Sequence, residues 1–279
     1  MNPTILYLTD FSKCAEHALQ FLIPMAKLLE ARVMVVHGIG SPAKSMTEKT
    51  PLNIFEELEA AKKGVSINLE KVTKVLNDQE VVNSSEIVQG MVSQALADYA
   101  VELKPDLILM GTVGNHALDN KLMGSLAYKM IKASTSPVMV IPINTQYQQL
   151  EHLTYATNFL PGDFKNLQFL LKLVKDETST VDIVHVTPTE GLNPGQEQQL
   201  DALKTRIAES EFKAEVSFTL LSHQKVMEGL MAFIEDKQPQ VLALASPKRN
   251  FWDRLINKSL TKKMIDRANV PMLVFTSFA

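Results

Sequence analysis

Cysteine is almost absent from this chain. Cys14 stands alone in 279 residues, which excludes an internal disulfide framework and suits a reducing compartment. Its apolar neighbours in a predicted helix make it a buried, inert thiol rather than a nucleophile. Long apolar runs are missing too: none approaches the ~20 residues that a membrane-spanning helix requires. The amino-terminal stretch has no basic region ahead of an apolar core, and Asp10 and Lys13 interrupt its only candidate, so no secretory signal is expected. A cytoplasmic protein with no membrane partner is the expectation. With a net charge of −3, there is no overall basic field to recruit nucleic acid.

Catalytic signatures are equally scarce. No lysine follows a glycine loop as in the P-loop, no acidic pair is placed for two-metal chemistry, and no Gly-x-Ser-x-Gly elbow occurs. The six histidines (His17, His37, His116, His152, His185, His223) lack metal-ligand spacing. No catalytic and no metal-binding residue is therefore expected. His37 and His185 fall at equivalent strand ends, which implies a shared structural role, and His116 reads as an exposed loop residue.

What is present is a regular alternation. Hydrophobic residues make up 46% and charged residues 21%, ordinary values for a globular protein, and the length accommodates two domains. Thr4–Leu8 reads as a buried strand, and Ser12 as the N-cap of the helix after it. Pro24 is expected to kink that helix or split it near Ile23. Val33–His37 is a second strand. A loop from Gly38 to Thr50 leads to a long amphipathic helix from Pro51 to about Leu76. Glu86–Val88 marks a short third strand closed by Gly90, and a helix follows from Val92. Lys104-Pro105-Asp106 ends that helix ahead of the strand Leu107–Met110. A helix from Ser125 to about Thr135 and a strand Val138–Ile141 complete the set. Strands alternating with helices imply right-handed crossovers and a parallel sheet covered on both faces.

The pattern then repeats. Leu153–Phe159 echoes Leu6–Phe11, Asp182–Val186 echoes Val35–Gly38, and Val241–Leu244 takes the place of Leu107–Met110. Lys263-Met264-Ile265 through Phe275 mirrors Lys129-Met130-Ile131 through Ile141 without a gap, at an offset of 134. This is an internal duplication of an α/β domain, with boundaries 1–145 and 146–279.

Gly111 and Gly114, then nine residues, then Gly124-Ser125 lie between the strand 107–110 and the helix at 125. Glycines without Cβ atoms let backbone N–H groups approach an anion, and a helix start adds unpaired N–H groups and the positive end of its dipole. Ser125 adds a hydroxyl. The stretch has the chemistry of a phosphate cradle.

The spacing Gly-x2-Gly-x9-Gly-Ser resembles the motif of the ATP-binding branch of the universal stress protein family, and both halves resemble members of that family. The resemblance implies two tandem open parallel five-stranded sheets of order 3-2-1-4-5 flanked by helices, the adenine nucleotide alpha hydrolase-like fold. It implies a ligand at the switch point between first and fourth strands, and ATP, with or without magnesium, as that ligand. Carried over by position, Asp10, Gly38 and Ile39 belong to the adenosine, and Gly111, Gly114, Gly124 and Ser125 to the phosphates and ribose. Gly90 matches the small residue after strand three that lets backbone pass close to the ligand. Asp10 alone also reads as a turn-capping carboxylate. The second half departs from the pattern: Asn158 stands at Asp10, Gln224 at Gly90, and Ala245, Lys248 and Lys258 at Gly111, Gly114 and Gly124, with only Ser259 retained. A degenerate second site follows, and a charge-based anion site built from Lys248, Arg249, Arg254 and Lys258 is its alternative. The resemblance also implies pairing of Val138–Ile141 with Met272–Phe275 as an intramolecular pseudo-dimer, and leaves a homodimer open. Three functions remain: a nucleotide-binding regulatory stress-response factor, a scaffold with two structural halves, and a slow ATPase.

Overall fold

The structure, a computed structural model, describes residues 2–40, 51–112, 125–174, 178–188, 191–245 and 270–275, with the side chains of 51–54 outside that description. The greater part of the expected loop before Thr50 lies outside the described residues. So do Gly114, His116, Gly124, Lys248, Arg249, Arg254, Lys258, Ser259 and 263–265. The chain divides into two compact units, Met1–Ser136 and Pro137–Ala279.

In the first unit, β1 (Thr4–Leu8) is buried at every position and β4 (Leu107–Gly111) through Met110. A strand buried on both faces reads as a continuous apolar run, as these two do. They pair in parallel, Leu8 against Met110, and β2 (Arg32–Gly40) flanks β1 on its other side. β3 (Asn83–Gly90) extends the order to β3-β2-β1-β4. Right-handed crossovers place α1 (Lys13–Leu28) and α2 (Pro51–Asp78) on one face, and α3 (Val92–Leu103) and α4 (Ser125–Ala133) on the other. Accordingly the Tyr7 hydroxyl donates to the Ala15 carbonyl of α1, while its sequence neighbours Leu6 and Leu8 point the opposite way.

Three sequence expectations shift. Helix α1 is not split at Ile23: it runs through Pro24 as one element. Loss of one backbone hydrogen bond is outweighed by burial of Phe21, Leu22, Met25 and Ala26 around it. Strand β2 continues past His37, because Gly38, Ile39 and Gly40 pair with Val88, Gln89 and Gly90. Strand β3 begins at Asn83, three residues early. Its first residues, Asn83-Ser84-Ser85, carry no apolar pattern, and the ladder to β2 holds them instead.

The second unit has the order β5-β10-β9-β6-β7-β8. Here β5 is Val138–Ile141, β6 His152–Ala156, β7 Thr180–Thr187, β8 Glu215–Ser222, β9 Val241–Ala245 and β10 Met272–Phe275. The run β8-β7-β6-β9-β10 is all parallel and reproduces the 3-2-1-4-5 order. β5 joins it antiparallel, with Met139 opposite Leu273. The helices described here are α5 (Asp163–Leu171), α6 (Pro194–Ala208) and α7 (Val226–Lys237). Asn193 and Gln196 form a reciprocal capping box on α6. Lys104 and Gln238 close α3 and α7 in the left-handed conformation, each followed by a proline that cannot continue the helix.

Candidate functional site

Strand β1 connects through α1 to β2 on one side, while β3 connects through α3 to β4 on the other. The crevice between β1 and β4, outside their carboxyl ends, is therefore a topological switch point. Four of the described site residues line this end of the sheet from three strands: Asp10 after β1, Gly38 and Ile39 near the end of β2's ladder with β3, and Gly111 at the end of β4.

The β1–α1 turn is built from local side-chain bonds. Asp10 is half-buried, and its Oδ1 accepts the Ser12 N–H at 3.0 Å, an Asx turn. The Thr9 hydroxyl accepts the Phe11 N–H at 3.0 Å, and Ser12 caps α1 through the Ala15 N–H at 3.2 Å. These bonds hold Phe11 at φ +59°, a costly value for a residue with a bulky side chain. Its ring stacks on His37 at 4.6 Å between centroids and 18° between planes. His37 Nδ1 donates to the Thr9 carbonyl at 2.8 Å, so its neutral tautomer leaves Nε2 as the acceptor.

The second unit repeats this turn. Thr157 accepts from Phe159 N–H at 2.9 Å, Phe159 has φ +54° and packs on His185, and His185 Nδ1 donates to the Thr157 carbonyl at 2.8 Å. The spacing Thr-x-Phe with a histidine 28 residues after the threonine carries this device in both halves. That was the signal available in sequence for the strained phenylalanine, which inspection of the glycines overlooks.

Glycine roles divide by what a Cβ would meet. At Gly111 a Cβ would lie 2.8 Å from Cys14 Sγ and 2.9 Å from the Cys14 carbonyl oxygen. At Gly38 it would lie 2.8 Å from Val92 Cγ1 and 3.1 Å from Leu96 in α3. Both glycines are thus required by helix packing, whatever else approaches them. Gly90 is different: its φ of +152° is a conformation that side chains rarely adopt. Ile39 buries its side chain, so its backbone is what it can offer a ligand. Ser125 opens α4 and is exposed. Thr112, next to Gly111, is buried with its hydroxyl 3.7 Å from Cys14 Sγ.

The equivalent positions of the second unit are repacked. Val186 follows His185 where Gly38 follows His37, and a Cβ on Gly229 of α7 would lie 2.9 Å from Val186 Cγ1. The glycine has moved from strand to helix. Ala245 is buried at the place of Gly111, and Gly162 stands at the sequence position of Cys14. Asn158 and Gln224 are exposed. Asp163 replaces Ala15 and is buried: its Oδ1 accepts from the Tyr155 hydroxyl at 2.7 Å, and its Oδ2 from the Leu160 N–H at 2.9 Å and the Thr157 hydroxyl. Burial pushes its pKa above the ordinary carboxylate value, against the opposing pull of these donors. Burial likewise raises Tyr7 and Tyr155 above ordinary tyrosine, Asp163 adding to the effect at Tyr155.

Chemically, this end of the first unit carries a hydrogen-bond acceptor, Asp10, after β1 and, on the helix that follows β4, a start whose N–H groups and Ser125 hydroxyl can donate to an anion. A donor set of this kind fits an anionic ligand such as a phosphate. Among the described residues, no cluster of three or more His, Cys, Asp or Glu side chains could hold a metal ion, and no helix is long and apolar enough to cross a membrane.

Comparison with known proteins agrees with this architecture. A universal stress protein of Methanocaldococcus jannaschii is 30% identical over 139 residues, covering 48% of this chain and 78% of that protein. One of Synechocystis is 27% identical over 144 residues, covering 51% and 87%. The crystal structure of a universal stress protein from Archaeoglobus fulgidus superposes on the whole chain with a TM-score of 0.75, at 17% identity and 99% coverage of both chains, a likeness of fold. The family model of the universal stress proteins matches residues 1–142, and the chain belongs to the universal stress protein family.

Proposed function

We propose that this protein is a cytoplasmic adenine-nucleotide-binding factor with a regulatory role in the stress response, with one competent site, in the first of two domains spanning 1–145 and 146–279. The observation that carries this reading is the meeting of Asp10 and Gly111 at the β1/β4 switch point, because Asp10 plays no part in the glycine spacing that marks the phosphate cradle. The ligand is ATP, with or without magnesium. Asp10 and the backbone of Gly38 and Ile39 take the adenosine; Gly111, Gly114, Gly124 and Ser125 take the ribose and phosphates; Gly90 lets the chain pass close by. Binding shifts the balance of surface states. The second domain lacks this donor set at Asn158, Gln224 and Ala245 and serves as a structural partner. The antiparallel ladder of β5 with β10, the closing strands of the two sequence repeats, supports their pairing through these strands.

A scaffold function is the second reading. The packing reasons for Gly38 and Gly111 favour it, since neither glycine needs a ligand to explain it. The test is to replace Gly124 with leucine and Asp10 with alanine, separately, and to follow ATP binding by thermal shift. The nucleotide reading expects Gly124→Leu to abolish the shift while the far-ultraviolet circular dichroism stays unchanged. Retention of the full shift by both variants would overturn the assigned site, and no ATP-induced shift in the wild type would leave the scaffold.

A further inference from the structure

The first helix of the second repeat ends early. Tyr155, Phe159 and His185 stand 148 residues after Tyr7, Phe11 and His37, and at that offset Leu171 corresponds to Ile23. Helix α1 continues five residues beyond Ile23 to Leu28, whereas α5 ends at Leu171. In the first unit that last stretch reaches the connection into β3, where the Lys27 ammonium donates to Gln79 Oε1 at 3.2 Å. The strand ladders fix the equivalent of Gln79. Val33 pairs with Asn83 and Val181 with Val216, and four residues earlier stand Gln79 in one repeat and Phe212 in the other. Where the first unit has a bond from helix to loop, the second has a groove of about 250 Å³ between the end of α5 and the segment Glu211–Ala214.

This groove has an apolar floor and a charged rim. Leu171 and Ala214 are buried, and Val174 and Phe212 half-buried. The Phe212 ring packs on Phe164 at 5.8 Å, and the Arg206 guanidinium lies over Phe164 at 4.0 Å, so this wall stands before any ligand arrives. Lys172, Lys213 and Glu211 are exposed around it, and no described residue hydrogen-bonds or ion-pairs with their side chains. Two cations against one acid leave the rim net positive. We propose that the groove binds a small amphipathic monocarboxylate, its apolar body on Leu171, Val174 and Phe212 and its carboxylate between Lys172 and Lys213. An apolar lining with a few convergent polar groups is the general form of a small-molecule site, and this volume lies below the ~300–1,000 Å³ of sites for drug-sized ligands. At ~30 Å³ per atom, the share of one water molecule in the liquid, it takes roughly eight non-hydrogen atoms. Hexanoate has that size and charge. Glu211 on the same rim opposes a second negative group, which disfavours dicarboxylates. The groove lies at the amino-terminal end of the strands, away from the crevice at their carboxyl ends, and so does not depend on nucleotide binding there.

Titration of the full chain with hexanoate, followed by amide ¹H–¹⁵N spectra, tests this. Saturable shifts are expected at Lys172, Val174, Phe212 and Lys213, with a dissociation constant on the order of 1 mM for so small a ligand. The double variant Lys172→Glu with Lys213→Glu weakens hexanoate at least tenfold and gains binding of hexylammonium, which has the same tail and the opposite charge. Glu211→Gln acts in the other direction and tightens hexanoate about twofold or more. All three side chains are exposed, and unchanged dispersion of the remaining amides shows that each variant keeps its fold. Absence of saturable shifts, shifts scattered over both units, or hexylammonium binding the wild type as well as hexanoate overturns the proposal. So does a charge-reversed variant that binds hexanoate as tightly as the wild type.

Discussion

Gly111 and Cys14 touch so closely that a single added carbon would collide with backbone: a Cβ on Gly111 would stand 2.9 Å from the Cys14 carbonyl oxygen and 2.8 Å from its sulfur. The contact joins the end of β4 to the first turn of α1 at the mouth of the switch-point crevice. Gly111→Ala should therefore destabilise the protein by about 1–3 kcal/mol, the cost of overpacking a filled site. Gly38→Ala should cost less, because its nearest neighbours are the ends of the Val92 and Leu96 side chains. Urea unfolding of both variants checks the order. Adding Cys14→Ala to Gly111→Ala should recover part of the loss, since the sulfur contact goes and the carbonyl contact stays.

Tyr7 and Tyr155 occupy the same place in the two repeats but carry different loads. The Tyr7 hydroxyl donates to one backbone carbonyl, while that of Tyr155 donates to Asp163 and accepts from Asn166 at 3.0 Å. Tyr155→Phe leaves a buried carboxyl group and a buried amide each short of a partner and should cost about 2–3 kcal/mol. Tyr7→Phe should cost about 1 kcal/mol. Denaturant midpoints at constant slope measure the difference.

Asp163 gives the stability a pH dependence of definite sign. Its folded pKa is raised, chiefly by burial, so in the range above 3.8 the native state holds a proton that the unfolded chain has released. Its contribution is most favourable in acid and falls as pH rises through the raised value. Asp163→Asn should lower stability at all pH and remove this component of the slope. Paired unfolding curves in weak acid and at neutrality read it. A slope unchanged by the substitution would show that the group is not responsible.

Much of this fold was legible in the sequence because buried parallel strands announce themselves. Ile5–Leu8 and Leu107–Met110 are apolar runs with punctuation at both ends, and the gap-free alignment of the closing segments reveals the duplication. β3 was legible only in its last residues, since Asn83-Ser84-Ser85 is held by a ladder and not by apolar burial. Pro24 read as a kink or a break, and the break did not occur because propensity does not register the core around it. At the site, Asp10 and Gly111 were placed correctly at the strand ends by their position after apolar runs. Sequence could not tell that Gly38 and Gly111 lack side chains to make room for α3 and Cys14, because those neighbours are distant in the chain. Nor could it show that Val186 and Gly229 exchange the same space in the second repeat.

The central claim is a single competent nucleotide crevice per chain, and a calorimetric titration of nucleotide-stripped protein with Mg-ATP tests it most directly. The account predicts a stoichiometry of one ATP per chain, lost in Gly124→Leu. Two sites per chain would contradict the assignment of Asn158, Gln224 and Ala245 to a degenerate site, and no binding at millimolar ATP would contradict the nucleotide function itself.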